Sequence, residues 1–379
     1  MIPHARPVLG GNEARYLQDC VETTYVSSVG PFVERFERQV AAASQSAGAV
    51  ATASGTSALH ISLVALGVGR DDLVVLPSFT FIASANAIAH CGAEPWLFDV
   101  SPESWTLDAG LLRRMLERDT RRQAGRLVHV PSGRRVAAIM PIHTLGVPAA
   151  MDEIVAIAAE FGLPIVADAA AAIGATYRGR PLGSFGATLS AISFNGNKTI
   201  TAGGGGAVVS QDLELLRLVR HLSTTARAGE EYAHDRVGYN YRMTNLQAAV
   251  GCAQMERWEE LVETKRRIRR RYDEGFRGVP GIAPFPDPAG QESACWLSGI
   301  RVSPPAPAVA TIRAELRTQG IETRAFWQPM HLQAPYRASP ATPMPVSDAL
   351  WPAILTLPCS TDLSEAEQAR VIDAVRNVR

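Results

Sequence analysis

The sequence predicts an α/β protein in which a large, mostly parallel sheet domain precedes a smaller C-terminal α+β domain. Three observations carry this expectation. Short apolar runs alternate with helical patterns from residue 55 to about 209; the pattern changes after Asn240 to a single amphipathic helix; and a proline- and glycine-rich stretch at 278–290 separates that helix from the remainder. Strands alternating with helical crossovers pair in parallel and are covered by those helices. At 379 residues the chain also exceeds the usual single-domain size. The expected division is 1–244 and 245–379.

In chain order, an amphipathic helix opens at Gly55 and runs through Leu66. Buried strands are expected at 73–76, 96–100, 136–140, 164–167, 191–194 and 207–209, each a short apolar run. One helix is expected from 245 to about 274. Beyond the proline- and glycine-rich stretch, strands at 295–302 and 321–324 flank a helix at 306–318, and helices at 347–354 and 364–378 close the chain. There is no internal repeat and no low-complexity tract.

Composition narrows the function classes. With 37 basic and 37 acidic residues the formal net charge is zero, so nothing draws the whole molecule to nucleic acid or to a membrane surface. The basic run 265–271 reads as the solvated face of a helix whose apolar positions include Met255, Trp258 and Leu261. Five scattered cysteines without Cys-x-x-Cys spacing make neither a disulfide framework nor a zinc site. The histidines carry no ligand spacing, so no metal is expected. No apolar run reaches the roughly 18 to 20 residues of a membrane span, and the N-terminal residues lack a signal peptide's core. A reducing cytoplasm is the expected compartment.

The chemistry concentrates in Ser193-Phe194-Asn195-Gly196-Asn197-Lys198, followed by the glycines at 203–206. Most lysines are solvated surface charge, but this one sits at a strand end among small and polar residues. An ε-amine that burial makes partly neutral can form a Schiff base with an aldehyde. Upstream, the apolar run 163–167 delivers Asp168 at a strand's C-terminal end, where open α/β sheets bind ligands. Read alone, Asp168 is a helix cap for the alanines that follow. A third element, Ala53-Ser54-Gly55-Thr56-Ser57-Ala58-Leu59, offers hydroxyls and backbone N–H groups at a helix start, suited to an anion or simply to capping. Phosphate turn, carboxylate and lysine in this order along the chain are the poles of a pyridoxal phosphate site. The competing dinucleotide fingerprint is absent, because Gly67-Val68-Gly69 follows a helix and lacks a third glycine.

Over nearly its whole length the chain resembles the DegT/DnrJ/EryC1/StrS family of pyridoxal-phosphate-dependent sugar aminotransferases. The matching pieces are Tyr25-Val26-Ser27-Ser28-Val29-Gly30-Pro31-Phe32, Gly55-Thr56-Ser57-Ala58-Leu59, Pro77-Ser78-Phe79-Thr80-Phe81, Pro141-Ile142-His143, Asp168-Ala169-Ala170, the segment ending at Lys198, and Gly238-Tyr239-Asn240-Tyr241-Arg242-Met243. The resemblance implies fold type I, with a seven-stranded type of sheet in which one strand opposes the rest. It implies Lys198 as Schiff-base lysine and proton shuttle, and Asp168 as partner of the pyridine nitrogen. Gly55, Thr56, Ser57 and Ser193 would hold the cofactor phosphate, and Phe81 would stack on the ring. Asn240 would reach a phosphate in the neighbouring subunit, making an obligate homodimer with composite sites. His143 and His331 match positions lining the substrate region, whereas His60 reads as packing.

Within the family the chain is most similar to enzymes that aminate nucleotide-linked 4-keto-6-deoxy-HexNAc sugars on the bacillosamine and legionaminic acid routes. L-glutamate is the implied donor. One departure is Ala171, where relatives place glutamine, histidine or glutamate near the cofactor's phenolic oxygen. Two other readings remain at this point: aminotransfer to a different ketone, and a non-aminotransferase or catalytically silent protein of the same fold. A sugar dehydratase would carry histidine in place of Lys198.

Overall fold

The structure is a computed structural model that describes residues 1–229 and 231–378. Its main sheet uses β1 (Gly48–Thr52), β2 (Leu73–Pro77), β3 (Glu94–Phe98), β4 (Val136–Ile139), β5 (Val166–Asp168), β6 (Leu189–Ser193) and β7 (Gly206–Ser210). A three-stranded group, β3-β2-β4, and a four-stranded group, β5-β6-β7-β1, meet through parallel bridges from Ile139 to Ile165 and from Ile142 to Asp168. Pairing is parallel from β3 through to β6, and β7 is antiparallel to both of its neighbours. One strand therefore opposes the others, as the resemblance implied. The first strand, β1, is absent from the expected set.

These strands are apolar almost without interruption because both faces are covered. Leu73 and Val75 enter one core with Phe36, Ile139 and Phe194, while Val74 and Leu76 enter a second with Leu59, Ile61 and Val208. Side chains alternate between faces in a strand, so consecutive apolar residues are what a doubly covered sheet requires. The covering helices are α1 (Glu13–Glu22), α2 (Pro31–Ser44), α3 (Gly55–Ala65), α4 (Ile82–His90), α5 (Ala109–Asp119), α6 (Met151–Phe161), α7 (Leu213–Ser223) and α8 (Asn245–Met255).

The expected helix from 245 to 274 is two helices, α8 and α9 (Trp258–Gly275), broken where Arg257 takes φ −120° and ψ 12°. Nor is the basic run wholly solvated: Lys265 and Arg269 are buried with Ile268 and Tyr272. The alanines after Asp168 form turns rather than a helix, so Asp168 does not cap one. An unforeseen antiparallel hairpin joins Thr120–Gln123 to Arg126–His129.

The C-terminal part is an antiparallel sheet of β8 (Ile282–Pro284), β9 (Ser298–Val302), β10 (Arg324–Ala325) and β11 (Ile354–Leu357), ordered β8-β9-β11-β10. With it come α10 (Val309–Thr318), α11 (Pro345–Leu350) and α12 (Glu365–Arg376). Its core takes in Phe79, Trp105 and Leu145 from the first part, so the two parts share apolar burial beside the strand ends.

Candidate active site

At the C-terminal ends of β5 and β6 lies a cavity of about 510 Å³. Strand β5 brings Asp168 to it, aligned with Ala191 of β6. The carboxylate is buried and fixed in plane: Oδ2 accepts from Ser84 Oγ at 2.6 Å, and Oδ1 accepts from the Ala170 N–H at 3.0 Å. A carboxylate oxygen has two lone pairs, so acceptor capacity remains for a ligand donor.

Beyond β6 the chain loops outward and returns, closed by Ala202 N–H to Phe194 O at 2.8 Å, with Lys198 N–H donating to Asn195 O at 2.9 Å. This loop carries Lys198 into the cavity wall. Burial pulls the Lys198 pKa from 10.5 to about 8, and the nearby Asp168 carboxylate opposes that shift. Its Nζ lies 3.5 Å from the centroid of the Trp296 ring, whose indole N–H donates to Asn197 O at 2.8 Å. The glycines that follow let the strand pass the phosphate turn: a Cβ on Gly206 would sit 2.5 Å from Ser54 O.

Helix α3 starts at the opposite wall. Ser54 caps it, its Oγ accepting from the Ser57 N–H at 3.0 Å. Gly55 and Thr56 line the cavity with Ser193, and a Cβ on Gly55 would approach Ser193 Cβ to 2.7 Å. The first-turn N–H groups and the two flanking hydroxyls thus converge where an anion is favoured. Ser57 is not among the lining residues, and its Oγ is engaged with Ser54 Oγ at 2.8 Å.

Phe81, at the start of α4, is 52% exposed and borders the cavity. Trp327 packs beside it at 5.6 Å between ring centroids, and Trp296 lies 6.0 Å beyond Trp327. Neither tryptophan carries a motif of its own, although Trp327 stands four residues before His331. His143 also lines the cavity; its Nδ1 accepts from the Ala149 N–H at 3.1 Å, while buried Nε2 has no partner among the described residues. Burial lowers its pKa to about 4, so this imidazole is neutral at physiological pH.

Two expected site residues stand apart. His331 is not in the cavity wall, and both ring nitrogens are engaged, Nδ1 with Ser78 Oγ at 2.7 Å and Nε2 with Asp348 Oδ1 at 2.9 Å. It thereby links the segment after β2 to α11. Asn240 is exposed outside this chain's cavity, its Oδ1 accepting from Arg242 Nε at 3.0 Å. His60 packs as expected, buried with Nδ1 3.0 Å from Tyr241 Oη.

The pattern that defines the DegT/DnrJ/EryC1/StrS aminotransferase family matches residues 7–376. The chain belongs to that family. It is 36% identical to GDP-perosamine synthase of Caulobacter vibrioides over 99% of this chain and 97% of the relative. It is 33% identical to the GDP-perosamine synthase of Vibrio cholerae, over 100% and 99% of the two chains. Among solved structures, a DegT DnrJ EryC1 StrS aminotransferase from Brucella abortus superposes with a TM-score of 0.88 at 31% identity, covering 96% of this chain and 94% of that one. Fold type I and dependence on pyridoxal phosphate go with membership of this aminotransferase family. The narrower likeness to bacillosamine- and legionaminic-acid-route enzymes is not what these relatives' names carry.

Proposed function

We propose that this family member transfers the amino group of L-glutamate to the ketone of a nucleotide-linked 4-keto-6-deoxy sugar, with Lys198 and Asp168 as its catalytic residues. The observation that carries the reading is the convergence of Lys198, Asp168 and the start of α3 on one cavity of about 510 Å³. The donor set fits pyridoxal phosphate: an amine softened by burial, a carboxylate with spare acceptor capacity, and a helix start that Gly55 lets approach Ser193 closely.

When bound, pyridoxal phosphate supplies an aldehyde that bonds amines and a protonated ring that draws electrons from the carbon beside the nitrogen. Asp168 would hold the proton on that ring nitrogen, and Ser84 and the Ala170 N–H keep its carboxylate in plane. Gly55, Thr56, Ser57 and Ser193 would anchor the phosphate, with Ser57 acting by holding the Ser54 cap, to which both its N–H and its hydroxyl are joined. Lys198 Nζ would bond the aldehyde at rest and, once released, would serve as the base at the donor's Cα and the acid at the ring-side carbon. A pKa of about 8 would suit both tasks, since neutral and charged forms are both accessible near neutrality. Phe81, at the cavity edge, would cover the ring. His143, neutral and with a spare Nε2, offers a donor to cofactor or substrate oxygen where Ala171 offers none.

The sugar is read from the relatives. Two are named for a GDP-linked amino sugar, which favours a guanosine carrier over the HexNAc substrates that the subgroup resemblance suggested. The test is a panel of GDP-, UDP- and dTDP-linked 4-keto-6-deoxy sugars, with and without a 2-acetamido group, incubated with L-glutamate and assayed for amino sugar and 2-oxoglutarate. The GDP-linked hexose should be aminated fastest. Amination of none, with cofactor bound to Lys198, would exclude this substrate class.

The homodimer is part of the same proposal. Val21, Tyr25, Val26, Val29, Tyr232 and Val237 are exposed apolar side chains. The Tyr25 and Ser27 carbonyls accept from Asn245 at 2.8 and 2.6 Å, which ties their segment to the start of α8 just beyond Asn240. A second copy would bury such side chains in an interface. All five cysteines are unpaired, in keeping with a reducing cytoplasm. Among the described residues no helix is long and apolar enough to cross a membrane.

A further inference from the structure

Of its 37 basic residues, the chain has only two lysines, Lys198 and Lys265, and both meet one residue, Trp296. Trp296 presents its ring face to Lys198 Nζ at 3.5 Å. From the other side Lys265 Nζ donates to the Trp296 carbonyl at 3.0 Å and to the Cys359 carbonyl at 2.6 Å, with Cys359 Sγ at 3.7 Å as a third acceptor. Those three acceptors fill the three donor positions of an ammonium. Lys265 is 3% exposed, and no carboxylate pairs with it among the described residues. A buried amine without a counter-ion is a costly feature, and here its hydrogen bonds go to the backbone of a residue that touches the reacting amine.

Trp296 is fixed at every polar atom. Its N–H donates to Leu145 O at 3.2 Å, its carbonyl accepts from Lys265, and its indole N–H reaches Asn197 O, one residue before Lys198. The ring therefore has one place to be, and the loop bearing Lys198 is tied to it.

We propose that Trp296 is a positioning residue that parks the Lys198 amine on its indole face whenever that amine is not bonded to the cofactor, and that Lys265 is a positioning residue acting through Trp296. A cation prefers an aromatic face to unfilled apolar space, so the freed amine has a defined resting place from which it returns to the reacting carbon. Without it, a long side chain samples the whole cavity. Lys265 holds the ring from behind by pinning its carbonyl to the segment ending β11. The inference rests on Lys198 being the cofactor-bonding amine.

The test uses the full-length chain stripped of cofactor, treated with pyridoxal lacking the phosphate, reduced with borohydride and mapped by mass spectrometry. Only Lys198, Lys265 and the terminal amine can be modified, so Lys265 is an internal control for general loosening. Labelling of Lys198 should rise about threefold in Trp296→Phe, whose face is weaker, and about tenfold in Trp296→Leu, with Lys265 still unmodified. Lys265→Met should raise Lys198 labelling severalfold without altering any residue that touches it. In the loaded enzyme Trp296→Phe should lower kcat while leaving the KM of the sugar within about twofold, because the parked amine belongs to the proton-transfer step. Unchanged Lys198 labelling in Trp296→Phe, or labelling that rises equally at Lys265, would overturn the proposal. If Trp296→Leu does not fold, Trp296→Phe and Lys265→Met decide the matter. The wild-type control is separate: pyridoxal phosphate fixed by borohydride anywhere but Lys198 defeats the assignment of that lysine, whatever the variants do.

Discussion

At the scale of single residues, the softened amine of Lys198 sets the pH behaviour of the cofactor-free chain. Its pKa is drawn to about 8 by burial, so the rate at which the cofactor-free chain captures pyridoxal phosphate should climb with pH and level off above about 8. An ordinary lysine would keep accelerating toward 10.5, and stopped-flow absorbance distinguishes the two profiles. The same shift has a stability consequence of fixed sign. A folded pKa below the unfolded value means that between about 8 and 10.5 the unfolded chain binds more protons, so the cofactor-free fold gains stability as pH rises through that window. Lys198→Ala should remove both the yellow colour and this slope in denaturant titrations. Asp168→Asn keeps one oxygen for the Ala170 N–H and turns an NH2 toward the Ser84 hydroxyl, which can accept as well as donate, but it cannot hold a ring proton in the same way. It should bind cofactor while slowing both half-reactions by about a hundredfold or more in single-turnover measurements.

At the scale of elements, the site depends on how closely α3 approaches β6. Gly55→Ala puts a methyl 2.7 Å from Ser193 Cβ. Overpacking of this kind costs about 1 to 3 kcal/mol of folding stability, so the melting temperature of the cofactor-free chain should fall, and because α3 must shift away from β6 the affinity for pyridoxal phosphate in equilibrium dialysis should fall as well. Elements of this sort were legible in the sequence where burial on two faces wrote a continuous apolar run, as in β2, β4 and β6. The break between α8 and α9 left no such mark: Glu256 and Arg257 are neither glycine nor proline, and what breaks the helix is tertiary, with Glu256 taken by Tyr16, Asn12 and Arg35. Lys265 and Arg269 were misread for a related reason. A charge inside an amphipathic pattern reads as surface, and only the fold brings the carbonyls of Trp296, Cys359 and Phe285 to receive those donors. Lys198, Asp168 and Gly55 could be named in advance because their chemistry sits in local motifs, whereas Trp296 enters the site from about a hundred positions downstream with no motif of its own.

At the scale of the whole molecule, the question is whose cavity Asn240 completes. It is exposed and lies outside the cavity of its own chain, on a segment that pairs with Thr224 and is followed at once by α8. The exposed apolar side chains from Val21 to Val29 and at Tyr232 and Val237 give a second copy something to bury. In a twofold dimer each copy offers the other the same surface, so one crossing asparagine makes two composite sites. Mixing chains then has an arithmetic. A Lys198→Ala chain paired with an Asn240→Ala chain has one site carrying both lesions and one carrying neither. Random exchange makes half the dimers mixed, so about a quarter of wild-type activity should return when two nearly inactive preparations are combined under exchange conditions. If Asn240 served its own chain, every mixed site would keep one lesion and nothing would return. Sedimentation of each preparation alone should give the dimer mass, and a fully active monomer there would remove the composite site whatever the mixing shows.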